Sequence, residues 1–182
     1  MCLTMVRLGS SAISISPIIV GCWPFGGGDY WGEKSQEDVN KVVTAALEMG
    51  VNTFDTAEVY NNGESERSLG KALKGCRDKA VVISKINPSN CRHVRRHCIE
   101  SLQRLSMDYL DVYMIHWPIN TLSMRHFTSN EKMFESPPTI EDTCRQLDEL
   151  KKEGLIRSIG ISNFGRTQME ELAATGIRID VN

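Results

Sequence analysis

No run of apolar residues in this 182-residue chain is long enough to cross a bilayer. Nor is there a surplus of one charge: 21 Lys and Arg stand against 23 Asp and Glu, a formal net charge of −2. That balance supplies no strong pull toward nucleic acid or an anionic membrane, so neither is expected as a partner. The first residues, MCLTMVRLGSSAISISPIIVG, alternate Ser with Ile where a signal peptide would be continuously apolar. No two cysteines are spaced C-x-x-C. The six (Cys2, Cys22, Cys76, Cys91, Cys98 and Cys144) are expected to be reduced thiols of a cytoplasmic protein, with Cys98 and Cys144 at apolar helix positions. A complete G-x-G-x-x-G is missing too. In CWPFGGGDYWGEK, Gly26 and Gly28 fit the first two positions, but Trp31 holds the third, which favours a flexible aromatic-bearing loop over a phosphate cradle. His93 and His97 stand at i and i+4, but no third ligand follows at useful spacing. No metal is therefore expected, and Arg92, Arg95 and Arg96 make the segment a solvated basic helix face.

What is present is the composition of one globular domain, with 41% hydrophobic and 24% charged residues. Val6 and Leu8, then Ile13 and Ile15, alternate about Gly9-Ser10-Ser11 and predict a hairpin. PIIVG predicts a short buried strand. Ser35 with Asp38 opens a helix whose apolar face is Val39, Val42, Val43 and Ala46, and Gly50 stops it. The unit then repeats. The strand VNTFD precedes a helix over residues 65–74, and AVVIS runs to Lys85. Val94, Cys98, Leu102 and Leu105 mark the next helix, and LDVYMIH ends at His116. Ile140, Cys144, Leu147 and Leu150 mark another, IRSIGIS ends near Ser162, residues 167–174 are helical, and IRIDVN opens a sixth strand. Strand–helix alternation with short apolar strands predicts a parallel sheet, either a barrel or an open doubly wound sheet.

Four successive strands end in polar groups: Asp55, Lys85, His116 and Ser162-Asn163. In a flat sheet these would form a row. In a barrel they ring one point, where barrel enzymes keep their active sites, and this favours the barrel. Taken singly, Asp55 could cap a helix, Lys85 could be a solvated lysine and His116 a core histidine. Together with Tyr60 they point to one site. The loop over residues 117–138 is long and polar, and is expected either to shape the substrate pocket or to be flexible.

The segments NTFDTAEVYNNGESERSLG, VVISKI, VRRHCIESLQRLSMDYLDVYMIHWP and GLIRSIGISNF resemble the aldo-keto reductase family. The G-x-S-E form of the loop after Tyr60 is similar to the branch containing bacterial reductases and potassium-channel β subunits. The resemblance implies an α/β fold of the (β/α)8 barrel type and a catalytic tetrad of Asp55, Tyr60, Lys85 and His116. It also implies reduction of an aldehyde or ketone with NADPH, NADH being the other choice. Carbonyl reduction needs a proton beside the developing alkoxide, and an unperturbed phenol titrates at about 10. A nearby cation helps it: Lys85 can supply that charge, Asp55 can hold Lys85, and His116 can orient the carbonyl. By the same resemblance Ser162 and Asn163 hold the nicotinamide carboxamide, with Asp55 beside it. Trp23 and Trp117 would wall the pocket for a small-molecule carbonyl, packing being an equal role for Trp23.

Against an eight-stranded barrel, residues 1–182 are expected to form a single domain lacking the last two βα units. Those units carry the family's nicotinamide-stacking aromatic and its grip on the adenosine phosphate. Open sheet edges invite self-association, and NADPH binding by these residues alone is expected to be weak. A non-catalytic binding or regulatory module of the same family is the alternative function.

Overall fold

The computed structural model describes residues 3–182; Cys2 lies outside them. A hairpin comes first, with β1 (Val6–Arg7) antiparallel to β2 (Ser14–Ile15). Five parallel strands follow: β3 (Ile19–Gly21), β4 (Thr53–Asp55), β5 (Val81–Ile86), β6 (Leu110–Ile115) and β7 (Ile156–Ile161). They lie side by side in chain order. The long helices are α1 (Gln36–Glu48), α2 (Glu64–Ala72), α3 (Val94–Leu105), α6 (Ile140–Lys152) and α7 (Arg166–Ala174), with one-turn α4 (Thr121–Met124) and α5 (Glu131–Glu135) in the long loop. Ser35 caps α1 by accepting from Asp38 N at 3.1 Å, and Thr139 caps α6 by accepting from Asp142 N at 3.2 Å.

Every residue of β5 and β6 is buried, as in a parallel sheet covered on both faces. Side chains alternate between those faces. Phe54, Val82, Tyr113 and Ile115 join the helices in the larger core. Ile83, Val112 and Met114 face the other way and form a smaller core with Leu8 of the hairpin. Lys85 follows Ile83 by two residues and His116 follows Met114 by two, so both emerge from that inner face at its upper end. Gly160 is crowded there: a Cβ would stand 2.7 Å from Val181 Cγ1 and 2.8 Å from Met114 Cγ. At the lower end Gly9 (φ +53°) turns the hairpin, and a Cβ on it would meet Asp180 O at 2.5 Å.

Several sequence expectations need correction. IRIDVN does not form a full strand. Val181 makes one parallel bridge to Gly160, with Asp180 N donating to Ile159 O and Ile161 N to Val181 O. The observed sheet therefore has five strands. PIIVG is not buried: among the described residues β3 pairs only with β4, and Ile18 and Ile19 are exposed. Val42 is exposed as well, because Ile18, Val20, Val42 and Met49 line an open apolar groove. The helix expected at 65–74 runs Glu64–Ala72, with Leu73 as its C-cap.

Candidate active site

The polar strand ends converge. Asp55 closes β4, Lys85 is the penultimate residue of β5, and His116 directly follows β6. Backbone pairing continues beyond the strands, His116 N donating to Ile86 O and Ser162 N to Ile115 O, both at 2.9 Å. This fixes the height of each side chain above the inner core. Lys85 Nζ lies 2.6 Å from Asp55 Oδ1 and donates to Thr56 O at 2.9 Å and to Tyr60 Oη at 3.3 Å. Tyr60 Oη is 3.5 Å from His116 Nε2, and the two rings meet edge to face. The Lys85 side chain is 5% exposed and that of Asp55 29%, so the ion pair has one dry end and one wet end.

Burial, followed by the Lys85 charge, pushes His116 down to about 3. The ring is neutral near pH 7. Its Nδ1 is buried with no hydrogen-bond partner among the described residues. Cys22 lies behind the ion pair, its N donating to Asp55 O, and burial raises its thiol pKa well above the usual range.

Tyr60 is placed by an unusual backbone. Asn61 (φ 49°) and Asn62 (φ 54°) are left-handed and Gly63 (φ 85°) continues the reversal, a run that Asn and Gly adopt most cheaply. Asn61 Nδ2 donates to both Trp23 O and Phe25 O at 2.8 Å, tying this turn to the loop after β3. On the other side, Glu58 Oε1 accepts from Asn87 N (2.7 Å) and Asn90 Nδ2 (2.9 Å), while Oε2 meets His97 Nδ1 at 2.9 Å. Glu58 thus clasps the loop after β4 to the loop after β5. His97 is mostly buried in this pair, so the solvated face expected for it is corrected. His93 lies outside α3, in a preceding turn of 3₁₀ helix. Among the described residues no group of His, Cys, Asp or Glu is arranged to hold a metal.

The glycine-rich loop is also packed where a flexible one was expected. Trp23 stacks on Tyr30 (5.2 Å, 8°), meets Trp31 edge-on at 5.3 Å and lies 6.0 Å from Tyr60. Trp23 and Trp117 remain partly exposed, and of the two roles expected for Trp23 the packing one is seen in these aromatic contacts. From the long loop, Phe127 approaches His116 at 6.4 Å, while Met124 is fully buried. Asn163 (φ 63°) donates to His116 O at 2.9 Å and to Ser162 Oγ at 3.1 Å. These bonds use its amide nitrogen. They leave Asn163 Oδ1 to accept and the Ser162 hydroxyl to donate, a pair that matches a carboxamide.

Residues 17–182 match the Aldo/keto reductase family. The chain belongs to that family. This aldo-keto reductase chain is 34% identical over 179 residues to aldo-keto reductase YhdN of Bacillus subtilis, covering 92% of this chain and 49% of the relative. It is 32% identical over 167 residues to methylglyoxal reductase YeaE of Escherichia coli, covering 90% and 51%. A solved thermostable aldo-keto reductase in complex with the inhibitor epalrestat superposes with a TM-score of 0.80 at 32% identity, covering 99% of this chain and 62% of that one. An aldo-keto reductase from Klebsiella pneumoniae in complex with NADPH gives 0.75 at 28% identity, covering 96% and 54%. The chain spans about half the length of the curated relatives it matches. Its five-stranded sheet and hairpin correspond to part of their barrel.

Sequence reasoning did not find Thr56 O, Glu58, Asn61 or Phe127. Glu58 carried a signal, an acid between Asp55 and Tyr60. Thr56 O acts through its backbone, and Phe127 reaches the site only by tertiary packing.

Proposed function

We propose that these residues form the proton-transfer half of a carbonyl-reducing site, turning an aldehyde or ketone into an alcohol. The observation that carries this reading is the chain Asp55–Lys85–Tyr60–His116, four polar side chains in sequence at 2.6, 3.3 and 3.5 Å above a packed inner core. Lys85 is already committed to Asp55, Thr56 O and Tyr60 Oη, which leaves Tyr60 and His116 to deliver a proton to the carbonyl oxygen. His116 takes up its own proton only near about 3, so it is not an acid at neutral pH. That leaves Tyr60 as the donor. The Lys85 ammonium stabilises the phenolate left behind, and Asp55 keeps that ammonium in place. His116 acts as a neutral hydrogen-bond donor. Its orphan Nδ1 is cheaper to bury as a lone pair than as an N–H, which puts the hydrogen on Nε2, beside Tyr60 Oη. Both groups then address the same carbonyl oxygen.

A reduced nicotinamide, when bound, supplies the hydride. NADPH is the expected cofactor and NADH the other choice. The Ser162 hydroxyl and Asn163 Oδ1 would hold its carboxamide, with Asp55 as a further contact. Trp23 and Trp117 flank the substrate, with methylglyoxal and related small carbonyls as the first compounds to try. The cytoplasm, which maintains reduced nicotinamide, is the fitting location.

The test is NADPH consumption with methylglyoxal by this chain and by Tyr60→Phe. General acid catalysis is worth about 10²–10⁴-fold, and the variant should lose that much while nicotinamide still quenches tryptophan fluorescence. Undiminished turnover in the variant would remove Tyr60 from the role. The second reading is a binding module without turnover; cofactor quenching with no consumption by the unmodified chain would select it.

A further inference from the structure

At the opposite end of the sheet from Tyr60 lies a cavity of about 810 Å³. Its walls are the hairpin turn (residues 10–14) and the starting ends of β5, β6 and β7. Its charges are sorted by depth. The two inner acids are buried and already hydrogen-bonded. Asp111 is 3% exposed; its Oδ2 accepts from Arg77 Nη2 (2.7 Å) and Val82 N (2.9 Å), and its Oδ1 from Arg157 Nη1 (3.2 Å). Asp180 is 1% exposed and accepts from Ser158 Oγ (2.5 Å) and Ser10 Oγ (3.2 Å), with Lys151 at 3.8 Å and Arg178 at 3.6 Å.

The groups that face solvent are mainly cationic. Arg157 is 54% exposed and Arg178 59%. Lys79 is exposed and makes no ion pair among the described residues; Asp78 beside it is the one exposed acid. Counting Arg77 behind Asp111, five cations meet three acids here, a surplus of positive charge on a chain whose net charge is −2. The Arg157 guanidinium is held over the Tyr109 ring at 3.8 Å. Among the described residues only its Nη1 has a hydrogen-bond partner, so Nε and Nη2 remain to donate. A guanidinium fixed at one edge and free at the other suits an oxyanion, and phosphate is one whose geometry the guanidinium fork matches and whose charge answers a surplus of cations.

We propose that this basal cavity binds a small phosphate-bearing anion, with Arg157 and Arg178 as its principal contacts and Lys79 and Lys151 at its rim. The site is independent of the carbonyl-reducing reading, because it shares no residue with it.

The experiment is calorimetric titration of the chain with inorganic phosphate at low ionic strength, against chloride at matched ionic strength. Saturable binding of phosphate is expected, with none for chloride. Arg157→Gln/Arg178→Gln should weaken it at least about tenfold, the ratio expected from losing one charge-assisted hydrogen bond. Arg95→Gln/Arg145→Gln, on helix surfaces elsewhere, should leave it unchanged. A second titration with glycerol 3-phosphate separates the sources: tighter binding assigns an organic phosphate, equal binding the free ion. Asp111 keeps Arg77 and Val82 N when Arg157 is replaced. Should that variant nevertheless unfold, Lys79→Gln/Lys151→Gln leaves both Asp111 pairs intact and should weaken binding by itself. Absence of saturable binding, an equal response to chloride, or unchanged affinity in the cavity variants that fold would overturn the assignment.

Discussion

Replacing His116 with Asn should make the fold less sensitive to mild acid. Burial and then Lys85 hold the folded-state pKa of His116 at about 3, against an ordinary value of 6.5. Below about pH 6.5 the unfolded chain therefore takes up a proton that the folded chain refuses until about pH 3. Stability is fully present above that window and is lost as the pH falls through it. From about pH 7.5 to about pH 5 this one group should cost roughly 2 kcal/mol, because protonation favours the unfolded state about thirtyfold at the lower pH. His116 is 7% exposed, so solvent screening does little to reduce the figure. Urea unfolding read by tryptophan fluorescence at both pH values measures it. With a slope of about 2 kcal/mol per molar, the midpoint of the unmodified chain should drop by about 1 M more than that of the variant. Carboxylates whose pKa is lowered, such as Asp180 and Glu100, lose their contribution mainly below about pH 4.5 and do not confuse the comparison. Equal drops in the two proteins would show that His116 is not held neutral by its surroundings.

Lys85→Met should destabilise by about 2–3 kcal/mol, since it leaves Asp55 without its partner; the wet end of the pair keeps the loss below that of a fully buried one. Adding Asp55→Asn should recover part of that loss, and a neutral single variant in urea unfolding would refute the account. Gly70→Ala should cost about 1–3 kcal/mol, because a methyl there overlaps the Leu105 carbonyl where α2 crosses the end of α3. An unchanged thermal midpoint would show that these helices separate more easily than their packing suggests.

The strands and long helices were legible because their signals are local. The runs VVISKI and LDVYMI are apolar enough to be buried on both faces, and Val94, Cys98, Leu102 and Leu105 repeat at helical spacing and are all buried. The strand ends were legible for the same reason: once β4, β5 and β6 are placed, Asp55, Lys85 and His116 must sit at one end. Val42 misled because periodicity marks an apolar face without saying what will cover it. His97 misled because its neighbours in sequence are basic, whereas its partner Glu58 lies 39 residues away. The Trp23–Tyr30–Trp31 cluster was visible only as composition, since loop packing has no period to read.

The strand order has a consequence for how the chain comes together during synthesis. Each strand of the sheet pairs with the one made just before it, so the sheet can grow unit by unit as the chain emerges, with no strand waiting for a distant partner. The hairpin obeys a different schedule. Ser10 bonds Asp180 across 170 residues, and Gly9 lies directly against the Asp180 carbonyl. The hairpin, although made before the sheet, therefore finds this anchor only after β7 and α7 exist. Leu8 finds its seat sooner, on Ile83, Val112 and Met114 of β5 and β6, and the Ser10–Asp180 bond then locks the hairpin down once β7 and α7 are in place.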